Sequence, residues 1–296
     1  MKEISISTGP LQRKYGDERA LEICKESGFD AVDFNLEGYG LNDSCIYHAS
    51  EDAFATYFTN LKKKADSLGL RIGQTHGRCG TLTPDDAARN DFVRWVTERD
   101  LRASMYLGSP ACVVHSISTF HWGVVPPEVM REENQKMYAA FIPLAESYKV
   151  KISQETFGDA MTDGKRVLDF FGDVHELKAQ HEQLPTEWKT LCMDTGHVNK
   201  ATAFGIMSAE EAIRLLGKEI TLTHLHDNNT FSDQHLPPQM GGTINWGNVF
   251  DAFDEIGYDG TYNFELALDY FGNVLEDAVH FLGKYLRKFV DGHGTV

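Results

Sequence analysis

The chain of 296 residues is 42% hydrophobic and 24% charged, as is typical of a globular protein, and no apolar run reaches the roughly 20 residues of a membrane span. Its formal net charge of −16 argues against nucleic-acid binding, because proteins that grip a phosphate backbone usually carry a basic surface. The opening segment MKEISIST lacks the apolar centre of a signal peptide, so we expect a cytoplasmic protein that binds no membrane.

Short apolar runs typical of strands alternate along the chain with amphipathic stretches typical of helices. In chain order, the predicted strands lie at 3–7, 30–34, 70–75, 111–115, 150–155, 190–194, 219–225 and 260–265. The last predicted helix has one apolar face, formed by Val274, Ala278, Phe281, Leu282, Tyr285, Leu286 and Phe289. Asn273, with Glu276 three residues later, is its predicted N-terminal cap.

Alternating strands and helices indicate a parallel sheet, because parallel strands need a crossover connection. Eight such units predict an α/β protein with the (β/α)8 TIM barrel fold, as a single domain over residues 1–296. The alternative is a doubly wound open sheet. Against it, the chain has no G-x-G-x-x-G after the first strand and no G-x-x-x-x-G-K-[ST]. Two long segments, roughly 35–50 and 227–245, follow strands and should lie on the active face of the barrel.

Residues that can bind a metal or transfer a proton end one predicted strand after another. They are His76, His115, Glu155, Asp194, His224, His226 and Glu265. A barrel brings the carboxyl ends of all its strands to one rim, where catalytic groups lie. Carboxylates and imidazoles crowded at such a rim favour a divalent cation between them, because the cation offsets their mutual repulsion and lost hydration.

The chemistry of these side chains narrows the metal. Three carboxylates, Glu155, Asp194 and Glu265, with the imidazole of His224 form a hard, oxygen-rich set, which suits Mn²⁺ or Mg²⁺ and also accommodates Co²⁺ or Zn²⁺. The five cysteines are scattered and form no C-x-x-C pair, so we predict neither disulfides nor a cysteine-rich zinc site.

The histidines in two segments each have more than one interpretation. His197 follows Asp194 on the turn after a strand, where it is a candidate substrate donor or second metal ligand, with helix capping as the alternative. His224 and His226 are two residues apart, so both point into the barrel or both point out. The inward orientation is favoured because Leu225 then packs outward against the helices.

Six motifs together make the chain resemble the sugar-phosphate isomerase/epimerase superfamily of xylose isomerase-like barrels. They are QET at 154–156, MDTGHVN at 193–199, THLHDNN at 223–229, DQHLPP at 233–238, GGTINW at 241–246 and FEL at 264–266. The superfamily includes ketose 3-epimerases, inosose dehydratases and the apurinic-site endonuclease four family. The motifs point to the superfamily and do not choose an activity within it.

The resemblance to the ketose epimerases implies one divalent ion held by Glu155, Asp194, His224 and Glu265. His226 competes with His224, because these epimerases often use the second histidine of an H-x-H, but the HLHDN register favours the first. The two glutamates would also be the catalytic acid–base pair, one on each face of the sugar. His197 would contact a substrate oxygen.

The implied reaction is proton abstraction next to a carbonyl of a sugar or cyclitol, through an enediolate that the metal stabilises. Return of the proton to the opposite face is epimerisation, return to the neighbouring carbon is isomerisation, and loss of hydroxide is dehydration. The sequence does not choose among them. Four aromatic residues are candidates for stacking on the sugar, with core positions in loops as the alternative: Phe120, Trp122, Phe157 and Trp246.

The resemblance to the endonuclease four family implies a different chemistry, phosphodiester hydrolysis by a multinuclear zinc site. That family adds ligands at positions that correspond here to His76, His115, His197, Asp233 and His235. The net charge of −16 and the segment 228–231 (NNTF), which replaces a lysine- and serine-rich loop, count against a nuclease. A non-enzymatic sugar-binding barrel is a third alternative. We expect a small sugar or cyclitol as substrate and no nucleic acid, and a homo-oligomer is left open.

Overall fold

A computed structural model of the protein describes residues 2–39, 45–78 and 81–295. Ten strands follow one another along the chain: β1 (Ile4–Ser7), β2 (Ala31–Asn35), β3 (Arg71–His76), β4 (Ala111–Val113), β5 (Lys151–Glu155), β6 (Asp159–Thr162), β7 (Lys165–Leu168), β8 (Lys189–Asp194), β9 (Ile220–His224) and β10 (Tyr262–Phe264). All but β6 and β7 form one parallel sheet in the order β10, β1, β2, β3, β4, β5, β8, β9. These eight strands coincide with the eight predicted ones.

The two ends of this sheet meet at β9 and β10 through a short parallel bridge between Leu225 and Phe264. The Leu225 N–H donates to the Asn263 carbonyl at 2.8 Å, so the sheet curls into a nearly closed barrel. The predicted (β/α)8 barrel is thereby confirmed. The remaining strands, β6 and β7, form an antiparallel hairpin between β5 and β8.

Helices connect the strands and surround the barrel. They are α1 (Gly9–Tyr15), α2 (Asp17–Glu26), α3 (Glu51–Leu68), α4 (Ala87–Leu107), α5 (Thr119–Trp122), α6 (Pro127–Tyr148), α7 (Val174–Gln183), α8 (Thr195–Ala201), α9 (Ala209–Leu216), α10 (Trp246–Glu255) and α11 (Leu275–Asp291). Pro127 stands at the start of α6, where its fixed φ favours a helix and its missing N–H costs nothing. None of the helices in the described ranges is both long and apolar enough to cross a bilayer.

The last helix, α11, packs on the barrel with a face that differs from the predicted one. Leu275, Val279, Leu282, Leu286 and Phe289 are buried, at spacings of four and three residues. Val274 and Phe281 are exposed instead, so their assignment to the apolar face is wrong. Asn273 is not the cap either, because a short 3-10 segment, Leu268–Val274, precedes the helix and Val274 becomes its N-cap.

The barrel interior below the mouth is polar where β10, β1 and β2 adjoin. Ser5 Oγ donates to Asn263 Oδ1 at 2.8 Å, and Ser7 Oγ donates to Asp33 Oδ2 at 2.8 Å. All four side chains are buried. Bulky apolar side chains normally fill the interior of this fold, so small polar residues here leave space and hydrogen-bonding capacity beneath the strand ends.

The mouth lies at the carboxyl ends of the strands, where the long segment after β9 and the hairpin β6–β7 are found. Part of the other predicted long segment, residues 40–44, is outside the described residues. The cysteines at 24, 112 and 192 are buried and not disulfide-bonded, and Cys79 is likewise outside the described residues.

The contact between α11 and α2 makes a testable prediction about stability. A Cβ added to Gly283 would overlap the carbonyl oxygen of Ser27. Gly283→Ala should therefore lower the free energy of unfolding by about 1–3 kcal/mol, because helix backbones must move apart. Gly247→Ala is the matched control, since the nearest atom to its Cβ would be Asn245 Oδ1 at 3.6 Å. Urea unfolding measures both, and equal effects of the two substitutions would contradict the packing argument.

Candidate metal centre

Four residues from neighbouring strand ends meet at the mouth of the barrel. Glu155, Asp194 and His224 end β5, β8 and β9, and Glu265 directly follows β10. His224 Nδ1 lies 2.6 Å from Glu155 Oε1, 3.4 Å from Glu265 Oε2 and 3.9 Å from Asp194 Oδ2. The predicted meeting of these four residues is confirmed, and their role as metal ligands stays a prediction.

On one side of this central group lie two more histidines. His115 Nε2 is 3.1 Å from Glu155 Oε2, and His76 Nε2 is 3.9 Å from Glu265 Oε1. The His76 ring stacks on the His224 ring with centroids 5.1 Å apart. Donor atoms of His76, His115 and Glu155 all lie within 4.8 Å of one another, which is close enough to share an ion.

On the other side, His197, Asp233 and His235 form a third group. Asp233 Oδ2 lies 3.2 Å from His197 Nε2 and 3.5 Å from His235 Nε2. Asp194 links this group to the central one, because its Oδ1 accepts the His197 backbone N–H at 2.7 Å and caps α8. The cap is therefore Asp194, and the His197 side chain lies in the mouth.

The flanking histidines share one orientation. In each of them Nδ1 faces a backbone carbonyl, which only accepts, so Nδ1 carries the proton and Nε2 is directed into the mouth. The carbonyls belong to Gly77 at 2.9 Å, Arg78 at 3.5 Å, Thr156 at 2.9 Å and Glu265 at 3.0 Å, for His76, His115, His197 and His235 respectively. Metal-binding histidines are commonly oriented in this way.

His226 also points into the barrel, as predicted. Its Nε2 lies 3.0 Å from Asp194 Oδ1, and its ring stacks on His235 with centroids 3.8 Å apart. Leu225 between the two histidines is buried against the outer layer. A Cβ at Gly196 would overlap the His226 ring, so this close approach requires glycine.

Opposite charges compensate one another in the central group. Burial by itself would raise the pKa of Glu155, but the charge of His224 and the hydrogen bond with His115 hold that pKa well below its usual range. Burial would likewise lower the pKa of His224, but neighbouring Cys192, Glu265 and Glu155 raise it well above the usual value. Protonated imidazoles thus balance buried carboxylates, and a divalent ion would replace those protons.

The third group follows the same logic. Burial opposes a charged His235, yet its hydrogen bond with Asp233 and the charge of Glu265 raise the pKa of His235 to about 9. The pKa of Asp233 is lowered far below its usual range, since the charge of His197 outweighs burial. Metal binding to either group would therefore release protons.

The donor set fits a divalent ion. Buried polar atoms are normally hydrogen-bonded, but His226 Nδ1 has no hydrogen bond within the described ranges. Ligand atoms bound to one ion at about 2.0–2.2 Å lie roughly 3 Å from one another, as the atoms around His224 Nδ1 do. Oxygen donors outnumber nitrogen donors among the four residues.

The four aromatic candidates lie in different surroundings. Phe157 is half-buried at the mouth and stacks on His197 with centroids 5.8 Å apart. Trp246 is buried, and its Nε1 donates to Asp227 Oδ2 at 2.8 Å, so it occupies a core position. Phe120 is exposed, and Trp122 Nε1 donates to the Leu82 carbonyl at 2.8 Å.

Two acidic residues near the mouth were missed in the sequence. Asp227 Oδ1 accepts the backbone N–H groups of Asn228 and Thr243, which fixes the segment after β9. Its position in HLHDNN, directly after the histidines, was an available signal. Asp33 lies under the mouth, and the only signal for it was a carboxylate within the predicted strand DAVDF.

Comparisons with known proteins agree with this architecture. Residues 21–284 match the sequence profile of the xylose isomerase-like TIM barrel family. The chain is 29% identical over 252 residues to the uncharacterized protein MJ1311 of Methanocaldococcus jannaschii, covering 83% of this chain and 78% of that protein.

Solved structures share the fold over the whole chain. A D-tagatose 3-epimerase-like protein is 22% identical, with 99% of this chain and 98% of that chain covered and a TM-score of 0.71. The IOLI protein, solved with a zinc atom, is 16% identical, with both chains covered completely and a TM-score of 0.74. At these identities the likeness is one of fold.

One side of the mouth is fastened by a buried carboxylate. Asp169 follows the hairpin β6–β7 and accepts the backbone N–H groups of Thr119 at 2.9 Å and Phe171 at 3.2 Å. Burial raises the pKa of Asp169 to about 6 against these hydrogen bonds, which lower it. The start of α5 is thereby tied to the end of the hairpin.

This shift predicts a pH dependence of stability. The folded protein retains the Asp169 proton up to about pH 6, whereas an unfolded chain loses it near 3.8, so the free energy of unfolding should fall as pH rises between these values. At 1.36 kcal/mol per pKa unit the fall is about 3 kcal/mol. About 2 kcal/mol of it lies above pH 4.5, so Asp169→Asn should reduce the difference in the free energy of unfolding between pH 4.5 and 7, measured with urea, by about that amount. An unchanged slope would contradict the assignment.

Proposed function

The chain belongs to the xylose isomerase-like TIM barrel family, and from that premise we propose that it is a divalent-metal-dependent isomerase or epimerase of a small sugar or cyclitol. One observation carries the proposal: three carboxylates from three strands converge on His224 Nδ1 at the mouth. The D-tagatose 3-epimerase-like protein and the zinc-binding IOLI protein have the same fold, which supports this class. A dehydratase acting through the same proton abstraction stays within the proposal.

Glu155, Asp194, His224 and Glu265 would hold one ion, Mn²⁺, Mg²⁺, Co²⁺ or Zn²⁺. When bound, it supplies a Lewis acid that draws negative charge from a substrate carbonyl and the neighbouring hydroxyl. The three carboxylates favour Mn²⁺ or Mg²⁺, and the imidazole also suits Co²⁺ or Zn²⁺.

The two glutamates move the proton. Glu155 is almost fully buried, whereas a fifth of the Glu265 side chain is exposed to the mouth. They come from β5 and β10, which are separated by β8 and β9 around the barrel, so they reach a substrate from different sides. One glutamate takes the proton next to the carbonyl, and the same or the other one returns it.

Other residues of the mouth bind and enclose the substrate. His197 and His235 direct their Nε2 atoms at Asp233, at 3.2 and 3.5 Å, and these three side chains would contact substrate oxygens beside the central group. Phe157 stacks on His197 and provides an apolar wall that excludes water from the reacting carbon.

A second candidate is hydrolysis of a phosphodiester by a multinuclear zinc site. A specific observation favours it: the four flanking histidines direct Nε2 into two compact groups. These groups are His76–His115–Glu155 and His197–Asp233–His235. The net charge of −16 opposes binding of a polyanionic backbone. Oriented histidines also serve a one-ion site as substrate contacts, and we therefore keep the isomerase as the first candidate.

Metal content separates the two candidates. The purified protein should hold about one tightly bound divalent ion per chain, because four donors from four strands meet around one point. Chelator should abolish turnover on a panel of sugars and cyclitols, and Mn²⁺ or Co²⁺ should restore it. Elemental analysis and anomalous scattering at the metal edge measure the ions.

Asp233→Asn is the control for metal count and should leave it unchanged. Two or three ions per chain, one of them lost in Asp233→Asn, together with nicking of an abasic duplex at low salt, would favour the hydrolase. A metal-free protein with full turnover would exclude both candidates.

The glutamates can be tested directly. Glu155→Gln and Glu265→Gln should each lower turnover at least about a hundredfold, the usual effect of removing a positioned acid or base. Solvent deuterium should enter the carbon next to the carbonyl during wild-type turnover. Glu219→Gln is the matched control, because Glu219 pairs with His181 at 3.1 Å outside the mouth. Near-wild-type turnover in both glutamine variants, or turnover without exchange, would contradict the mechanism.

A further inference from the structure

Beneath the central group, the barrel interior holds a carboxylate that the proposed function does not use. Asp33 on β2 is completely buried, and its Oδ2 accepts from Ser7 Oγ at 2.8 Å and from Asn263 Nδ2 at 3.2 Å. Burying a charged group costs several kcal/mol unless partners compensate it. Packing alone does not account for a carboxylate where the fold normally places apolar side chains.

Asp33 faces the imidazole that lies among the candidate metal ligands. Its Oδ2 is 3.4 Å from His224 Nε2, while His224 Nδ1 on the other side of the ring is 2.6 Å from Glu155 Oε1. Neither His224 Nε2 nor Asp33 Oδ1 forms a hydrogen bond within the part of the chain that is described, and Asp33 Oδ2 at 3.4 Å is the carboxylate oxygen that faces Nε2. The ring thus spans from the barrel interior to the mouth.

In a neutral imidazole one nitrogen carries the proton and only the other nitrogen presents a lone pair. A metal ligand must present the lone pair. A carboxylate next to Nε2 keeps the proton there and makes Nδ1 the more basic donor.

We propose that Asp33 is a positioning residue for His224, which holds the proton on Nε2 and directs the Nδ1 lone pair at the metal. This inference rests on the proposed function, since it assumes that His224 is a ligand. Two side chains hold the Asp33 carboxylate in place: Ser7 on β1, which is next to β2, and Asn263 on β10, which is next to β1.

The same contact distinguishes His224 from His226. His226 Nε2 contacts Asp194, but His226 Nδ1 has no hydrogen bond within the described residues. His224 therefore has a carboxylate behind it and carboxylates in front of it. This is the arrangement expected of an oriented ligand, whereas the carboxylate that contacts His226 Nε2 is Asp194, itself one of the four candidate ligands.

Asp33→Asn tests the inference through metal affinity. In the full-length protein stripped of metal, competition with a chromophoric chelator should show Zn²⁺ and Mn²⁺ affinity reduced by about 10- to 100-fold, the usual effect of losing such a partner. In a His224→Gln background, Asp33→Asn should cause no further reduction, because the histidine through which it acts is gone. Ser7→Ala, which keeps the carboxylate but loosens it, should cause a smaller reduction.

Asp30→Asn is the matched control, because Asp30 directly precedes β2 and its Oδ2 accepts the Ile4 backbone N–H at 3.0 Å, at the opposite end of the barrel. It should leave metal affinity unchanged. Unaltered affinity in both Asp33→Asn and Ser7→Ala, or an equal loss with and without His224, would overturn the inference. If Asp33→Asn fails to fold, Ser7→Ala in the two backgrounds decides alone.

The failure of this inference can be told apart from that of the proposed function. A wild-type protein that binds no divalent ion overturns both. A wild-type protein that binds one, with affinity indifferent to Asp33, overturns the positioning role and leaves the proposed metal centre standing.

Discussion

The contact between the His224 imidazole and the carboxylates around it constrains the rest of the mouth. Glu155, Glu265 and Asp194 approach the ring from one side and Asp33 from the other, all in a region with little access to water. Carboxylates in such surroundings repel one another unless cations or protons intervene. The flanking histidines, the polar barrel interior and the capping of α8 by Asp194 are all ways of holding that negative charge together.

The barrel and the meeting of distant strand ends could be predicted from the sequence, because both follow from periodicity and from the parallel geometry of the sheet. Glu155 and Glu265 are far apart in the chain, yet each stands at the end of an apolar run, and barrel closure brings such ends to one rim. The same argument predicts that His224 and His226 point inward together, since alternate residues share a face.

The sequence could not predict how deep a side chain lies within the barrel or at which residue a helix begins. In DAVDF, a carboxylate within a strand is equally compatible with a solvent-facing position, and only barrel closure places Asp33 beneath His224. The apolar face of α11 was misjudged at its start, because the preceding 3-10 segment leaves Val274 outside the helix as its N-cap, whereas Leu282, Leu286 and Phe289 are buried as predicted. Trp246 occupies the core because Asp227 accepts its N–H, a contact between residues on different elements that no local pattern reveals.

The seam between β9 and β10 has a mechanical consequence. These strands are joined by one short bridge at Leu225 and Phe264, whereas other neighbouring strands share longer registers. His224 and Glu265 stand on opposite sides of that seam. An ion shared by them would join the two edges of the curled sheet, so that saturation with the ion and closure of the barrel would become a single coupled equilibrium.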